Sequence, residues 1–201
     1  MILFLEQKLV IDQETITRVE KVELESARDI PANSLKVRLH VRQNDDSLNI
    51  KQGDTVIWEA GYKKKGDGMT TFVEEFRGTI TEIMPTRPLE FIAKDDMFLL
   101  SLKMIRKNFS SMPVSAYASK ILDEAGINAV IKCDSSVSGI KVSENIAGHS
   151  ARYALWKLRD PKYGCDVFFK GNTLYIENQF DKKEKKPSAM FSFYQDIISS
   201  N

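Results

Sequence analysis

The side chains in this sequence that could do chemistry are few, and most sit next to one another. Carboxylates come as the pairs Asp45-Asp46 and Asp95-Asp96, with Glu74-Glu75 between them. General acid/base catalysis needs two carboxylates converging across a cleft from different segments, and nothing in the spacing brings Asp95 to Glu74 or Glu75. Asp is also favoured at turns, where its side chain accepts nearby backbone N–H groups, so both Asp pairs are expected to be turn residues. His149-Ser150 sets a base beside a hydroxyl, but adjacent residues do not face each other, and no GxSxG elbow surrounds them. Ser150 is expected to cap a helix instead. Cys133 and Cys165 show no CxxC spacing, and no His/Cys/Asp cluster has metal-ligand spacing. Neither a Walker nor a dinucleotide glycine pattern is present. The lysine runs 63–65 and 182–186 could touch phosphates, but a solvated loop and a linker are their usual meaning. No catalytic, cofactor-binding or metal-binding residue is therefore expected, and no small-molecule substrate. Alanine at Asp95, His40 or His149 should leave assembly unchanged apart from modest effects on stability.

Composition points the same way. The 29 basic and 28 acidic residues leave a formal net charge of +1, which gives no bulk attraction to nucleic acid or anionic membrane. Any partner must be recognised by a local surface. A chain of 201 residues can bury roughly 70% of the surface its unfolded form exposes, enough for one large domain or two small ones. Met1–Leu5 is apolar but lacks a basic leading region and is followed by Glu6 and Lys8, so no signal peptide is expected. No apolar run approaches the length of a membrane span.

The first half of the chain reads as strands. Leu35 to Arg42 alternates without a fault, with Leu35, Val37, Leu39 and Val41 facing the core and Lys36, Arg38, His40 and Arg42 outside. A strand at Arg18–Glu25 precedes it. Thr55–Trp58, Phe72–Met84 and Leu89–Ala93 supply further strands, with a hairpin tip at residues 63–68 and Gly61 closing the first of the three. Phe76, Gly78 and Ile80 share one face, and a glycine among larger side chains predicts a bulge or a sharp bend. Strongly bent antiparallel strands tend to close. At least six strands before residue 95 thus predict a small antiparallel β-barrel, with Leu35, Val37, Leu39, Ile57, Phe76 and Ile80 inside.

The pattern changes after Asp96. Residues 97–109 show no clean period and read as a strand or an irregular connection. From Pro113 the period is helical, with Val114, Ala118, Ile121, Leu122 and Ala125 on one stripe and Gly126 past its end. Short strands are predicted at 129–131 and 140–142. A second helix starts at Ser150, carries Ala151, Ala154, Leu155 and Leu158 inward, and stops at Pro161 and Gly164. Val167–Phe169 and Leu174–Ile176 flank a two-residue Gly171-Asn172 turn. This second unit is α+β. The fold class predicted is therefore mainly β with α+β, with a barrel domain over 1–105, an α+β domain over 106–180 and a charged linker from Asp181 to Pro187. The linker leads into an apolar run, in which Phe191, Phe193, Tyr194 and Ile197 are expected to seek a sheet edge or a neighbouring subunit.

The order of features carries a resemblance that no single one does. Gly53-Asp54-Thr55-Val56, Gly61-Tyr62, Phe76-Arg77-Gly78-Thr79-Ile80 and Ile92-Ala93-Lys94-Asp95 resemble, in order, the GDxV, GY, FxGxI and AxD succession of the phage tail baseplate hub family. That family includes late control protein D and the first part of the VgrG-like spike proteins. Ser150–Leu158, Gly164, Phe168-Phe169 and Leu174-Tyr175-Ile176 are similar to its later segment. The resemblance implies a non-enzymatic structural protein of a contractile tail or related injection apparatus. It would be a homotrimer joining tail tube and spike proteins, made in the bacterial cytoplasm and located in the virion tail, with no nucleic acid or membrane partner. It also implies that a second barrel begins near the apolar run after the linker. The rival reading from the residues is an OB-like barrel binding nucleic acid, which would want aromatic and basic residues interleaved on one strand face. Arg38, His40 and Arg42 share a face without an aromatic companion.

Overall fold

The structure is a computed structural model that describes residues 3–16, 19–26, 32–39, 49–64, 71–84 and 87–180. Seven strands, β1 (Leu3–Ile11), β2 (Glu14–Ile16), β3 (Val19–Glu25), β4 (Ser34–Leu39), β5 (Thr55–Lys64), β6 (Val73–Met84) and β7 (Leu89–Lys94), form one antiparallel sheet in the order β2-β1-β5-β6-β7-β4-β3. Laid flat, six strand-to-strand steps of about 4.8 Å would hold its ends about 29 Å apart. Ile16 at one end and Val19 at the other are only three residues apart in sequence, a reach of about 11 Å. The sheet must therefore roll up, with its first and last strands consecutive pieces of chain. Its inner face, Leu9, Ile11, Ile16, Leu35, Val37, Leu39, Val56, Phe76, Ile80, Phe91 and Ala93, forms a single buried cluster. Among the described residues β2 and β3 are not paired with each other, so the barrel is rolled without a continuous ladder at that seam.

Strand β6 does the bending. One extra residue interrupts its register against β5 beside Glu75, and another interrupts its register against β7 beside Thr81. The two bulges lie on either side of the predicted position, Gly78, which pairs with Val56. Phe76 and Ile80 are buried on the same face as expected. Ile57 is a correction: Val56 is fully buried, and Ile57 lies on the opposite face with partial exposure. Thr55–Trp58 are four strand formers in a row, so alternation could not choose the face; pairing of Val56 with Gly78 and Trp58 with Phe76 chooses it. Val56→Ala is accordingly expected to cost roughly 2 kcal/mol of unfolding free energy and Ile57→Ala less than about 1 kcal/mol. Urea denaturation giving the reverse order would refute this assignment. Gly61 does not end β5, which continues to Lys64 because β1 pairs with it along its whole length. The β1–β2 hairpin had no sequence signal: its Asp12-Gln13 turn adopts φ of 47° and 89°, a conformation favoured by Asn-Gly or Asp-Gly.

Beyond Lys94 the chain builds a second core. It comprises α1 (Asp96–Ser101), β8 (Phe109–Pro113), α2 (Val114–Ala125), β9 (Val130–Cys133), α3 (Ser135–Ser138), β10 (Lys141–Glu144), α4 (Ala151–Trp156) with a 3-10 turn at Lys157–Arg159, β11 (Cys165–Lys170) and β12 (Thr173–Asn178). Helix α1 stands where a strand or irregular connection was expected; six residues are too few to show a period, and its start is fixed by a cap rather than by a stripe. The predicted stripe of α2 is buried, together with Tyr117, whose hydroxyl donates to the Ala154 carbonyl at 3.1 Å. Gly126 ends α2 at φ 72°, as a left-handed cap requires. Strands β11, β12 and β9 make a three-stranded sheet, and the Gly171-Asn172 turn joins the first two as predicted.

Candidate functional site

The two cores meet where β7 passes into α1, and the residue at that passage is Asp95. Its Oδ1 accepts the Met97 N–H at 3.1 Å, capping α1, and its Oδ2 accepts the Asn33 N–H at 3.0 Å. The Asn33 side chain continues across the junction, donating from Nδ2 to the Phe169 carbonyl in β11 at 3.2 Å. Two ionic contacts run alongside. Lys170 Nζ lies 3.6 Å from Glu75, and Arg77 binds Glu74 through Nε at 3.2 Å and Nη2 at 2.7 Å. Gly171, at φ 54°, turns directly against the Glu74 carboxylate, where a Cβ would collide with it. Between these contacts lies a cleft of about 270 Å³.

The cleft joins two carboxylates from separate segments, Asp95 and Glu75, which sequence spacing alone could not bring together. Burial pushes the Asp95 carboxyl from its usual value up to about 7, against the lowering effect of the Asn33 and Met97 N–H donors; the Asp96 charge next to it pushes the same way as burial. A carboxyl in that range could serve as an acid or base. Its surroundings argue for a structural role: each oxygen already holds a backbone N–H, Arg77 is engaged with Glu74, Lys170 is engaged with Glu75, and among the described residues no histidine or cysteine lines the cleft. The turn reading of Asp95 thus holds in the specific form of a helix cap that also ties in Asn33.

The other candidate residues are dispersed. Ser150 Oγ accepts the Tyr153 N–H at 3.2 Å and caps α4 as expected, while the His149 ring stacks on Tyr153 at 4.4 Å between centroids. Cys133 stands opposite Ile176 and Cys165 opposite Asn178, on the two sides of β12. Burial raises both thiols, Cys165 to about 11, which keeps them protonated and poorly nucleophilic. Among the described residues no group of three or more His, Cys, Asp or Glu could hold a metal ion, and no helix is long and apolar enough to cross a membrane. His40, Asp45, Asp46, Phe191, Phe193, Tyr194 and Ile197 lie outside the described residues, as do the linker lysines. Sequence reading missed Asn33 and Tyr163. The Tyr163 hydroxyl accepts the Ser143 N–H at 3.3 Å and lies 2.9 Å from Glu144 Oε1, a tie 20 residues long that no local motif signals.

No family model and no curated protein matches the chain in sequence. Its fold does match solved structures. A 43 kDa prophage tail protein from Shewanella oneidensis superposes with a TM-score of 0.65 at 15% identity, over 87% of this chain and 53% of that one. A tail protein from Neisseria meningitidis gives 0.63 at 15% identity, over 86% and 50%. A prophage tail protein from Listeria monocytogenes gives 0.53 at 11% identity, over 85% and 50%. The chain thus has the fold of phage tail proteins and spans about half the length of those it matches.

Proposed function

We propose that this chain is a structural component of a contractile phage tail or a related injection apparatus, a baseplate hub protein that works by docking rather than by chemistry. The observation that carries the reading is the pairing of a rolled seven-stranded sheet with an α+β unit, the arrangement shared with the prophage tail protein of Shewanella and the tail protein of Neisseria. The mutual satisfaction of the charges around the junction cleft supports a non-enzymatic role. In this reading residues 1–105 form the tube-type barrel, 106–180 the α+β domain, and 181–201 a linker with the beginning of a second barrel. Three copies form a ring between the tail tube and spike proteins, in the virion tail. Phe191, Phe193, Tyr194 and Ile197 then supply contact between subunits, since leaving several such side chains in water would cost roughly 1.5–3 kcal/mol each. Light scattering of the chain with and without residues 188–201 tests this. A trimer that dissociates on truncation, with the circular dichroism of the folded part retained, is the expected result. An unchanged mass before and after truncation would count against it.

A further inference from the structure

We infer that the surface formed by residues 102–107 and the start of α4 is a docking site for another protein that presents an apolar centre rimmed by carboxylates. The backbone there is fixed: Ile105 N–H donates to the His149 carbonyl at 2.9 Å, Gly148 N–H to the Ile105 carbonyl at 2.8 Å, and Ala151 N–H to the Lys103 carbonyl at 2.7 Å. Buried Ile105 anchors the segment, while its neighbours Leu102 and Met104 stand 63% and 57% exposed and Tyr153 of α4 40% exposed. Large apolar side chains held in water on a rigid backbone mark an interaction surface more than scattered ones do.

Charge decides what covers it. Lys103, Arg106, Lys107 and Arg152 carry no ion pair among the described residues. Of the acids nearby, Asp160 is paired with Lys157 at 2.8 Å, and Glu124, whose carboxylate accepts the Arg106 backbone N–H at 2.6 Å, stands as one negative charge among these cations. On the barrel, by contrast, Lys8 is matched with Glu59, and Lys36 and Arg38 with Glu90. A local excess of positive charge on a chain of net charge +1 selects an acidic partner. Nucleic acid fits less well. Single strands are held by stacking bases on open aromatic faces, and the Tyr153 ring has His149 stacked on it and Lys157 Nζ over it at 5.8 Å. Phosphates would also leave Leu102 and Met104 uncovered. The inference stands whether or not the ring described above forms.

Fluorescence anisotropy with the full chain tests the inference, using a labelled amphipathic peptide of Glu and Leu as probe, its Lys and Leu counterpart as control and an oligothymidylate as competitor. The acidic peptide is expected to bind. Its affinity should fall at least about tenfold in Leu102→Ser/Met104→Ser and, separately, in Arg106→Glu/Lys107→Glu. All four side chains are exposed, so both variants should melt as the wild type does, which separates lost binding from lost folding. Failure of the acidic peptide to bind, equal binding by all variants, or displacement by the oligothymidylate would overturn the proposal. So would self-association that disappears in Leu102→Ser/Met104→Ser, because the occupant would then be a second copy.

Discussion

Replacing Gly78 with alanine is expected to lower the unfolding free energy by about 3 kcal/mol, at the upper end of what an added methyl costs in a packed interior. The backbone of Gly78 is not left-handed, so conformational freedom is not the reason for glycine. The reason is space. A Cβ at this position would overlap the Lys94 carbonyl oxygen and sit 2.7 Å from both the Lys94 carbonyl carbon and Phe76 Cζ. Lys94 cannot easily yield, because it pairs with Thr79 and Ser34 and the next residue caps α1. The competing effect has the opposite sign: where the native backbone tolerates alanine, loss of glycine's unfolded-state entropy stabilises by about 0.4–1 kcal/mol. Chemical denaturation of Gly78→Ala therefore discriminates by sign, and a stabilised variant would show that β6 and β7 do not approach so closely.

That glycine also shows what could be read from residues alone. A glycine among Phe76, Arg77, Thr79 and Ile80 predicted a bulge or a sharp bend, but the close approach of the Lys94 backbone was not legible, because it depends on β7, in contact only once the sheet has formed. Strict alternation made Leu35, Val37 and Leu39 legible, whereas four consecutive strand formers hid the choice between Val56 and Ile57. Local chemistry was reliable where both partners lie within one turn, as in the Ser150 cap and the Gly171-Asn172 hairpin. The junction was not legible, because it is assembled from contacts separated by 62 and 136 residues, Asn33 to Asp95 and Asn33 to Phe169. Asn33 carries no motif of its own. Only the packing of the second core against the rolled sheet gives it a role.

Asp95 makes that junction sensitive to pH, and stability is expected to fall as pH rises from about 4 through about 7. The folded protein holds the proton on Asp95 more tightly than the unfolded chain does. This group's contribution is therefore fully present below the ordinary carboxyl value of 3.8 and is lost as pH passes the folded value of about 7. A shift of that size corresponds to on the order of 4 kcal/mol across the window. The direction is opposite to that of a surface carboxylate held by a salt bridge, such as Glu144 beside Lys162, whose contribution grows as pH rises. Two effects compete at Asp95. The N–H groups of Asn33 and Met97 favour the charged carboxylate, and removal from water disfavours it; with the residue only 3% exposed, removal from water prevails. Asp95→Asn isolates the effect, since the amide oxygen can still accept the Met97 N–H but cannot titrate. Urea denaturation at several values between about pH 5 and about pH 8 should show the stability of the wild type declining relative to that of Asp95→Asn as pH rises. A difference between the two proteins that stays constant with pH would mean that Asp95 is already charged in the folded state, and that the hydrogen bonds from Asn33 and Met97 outweigh its burial.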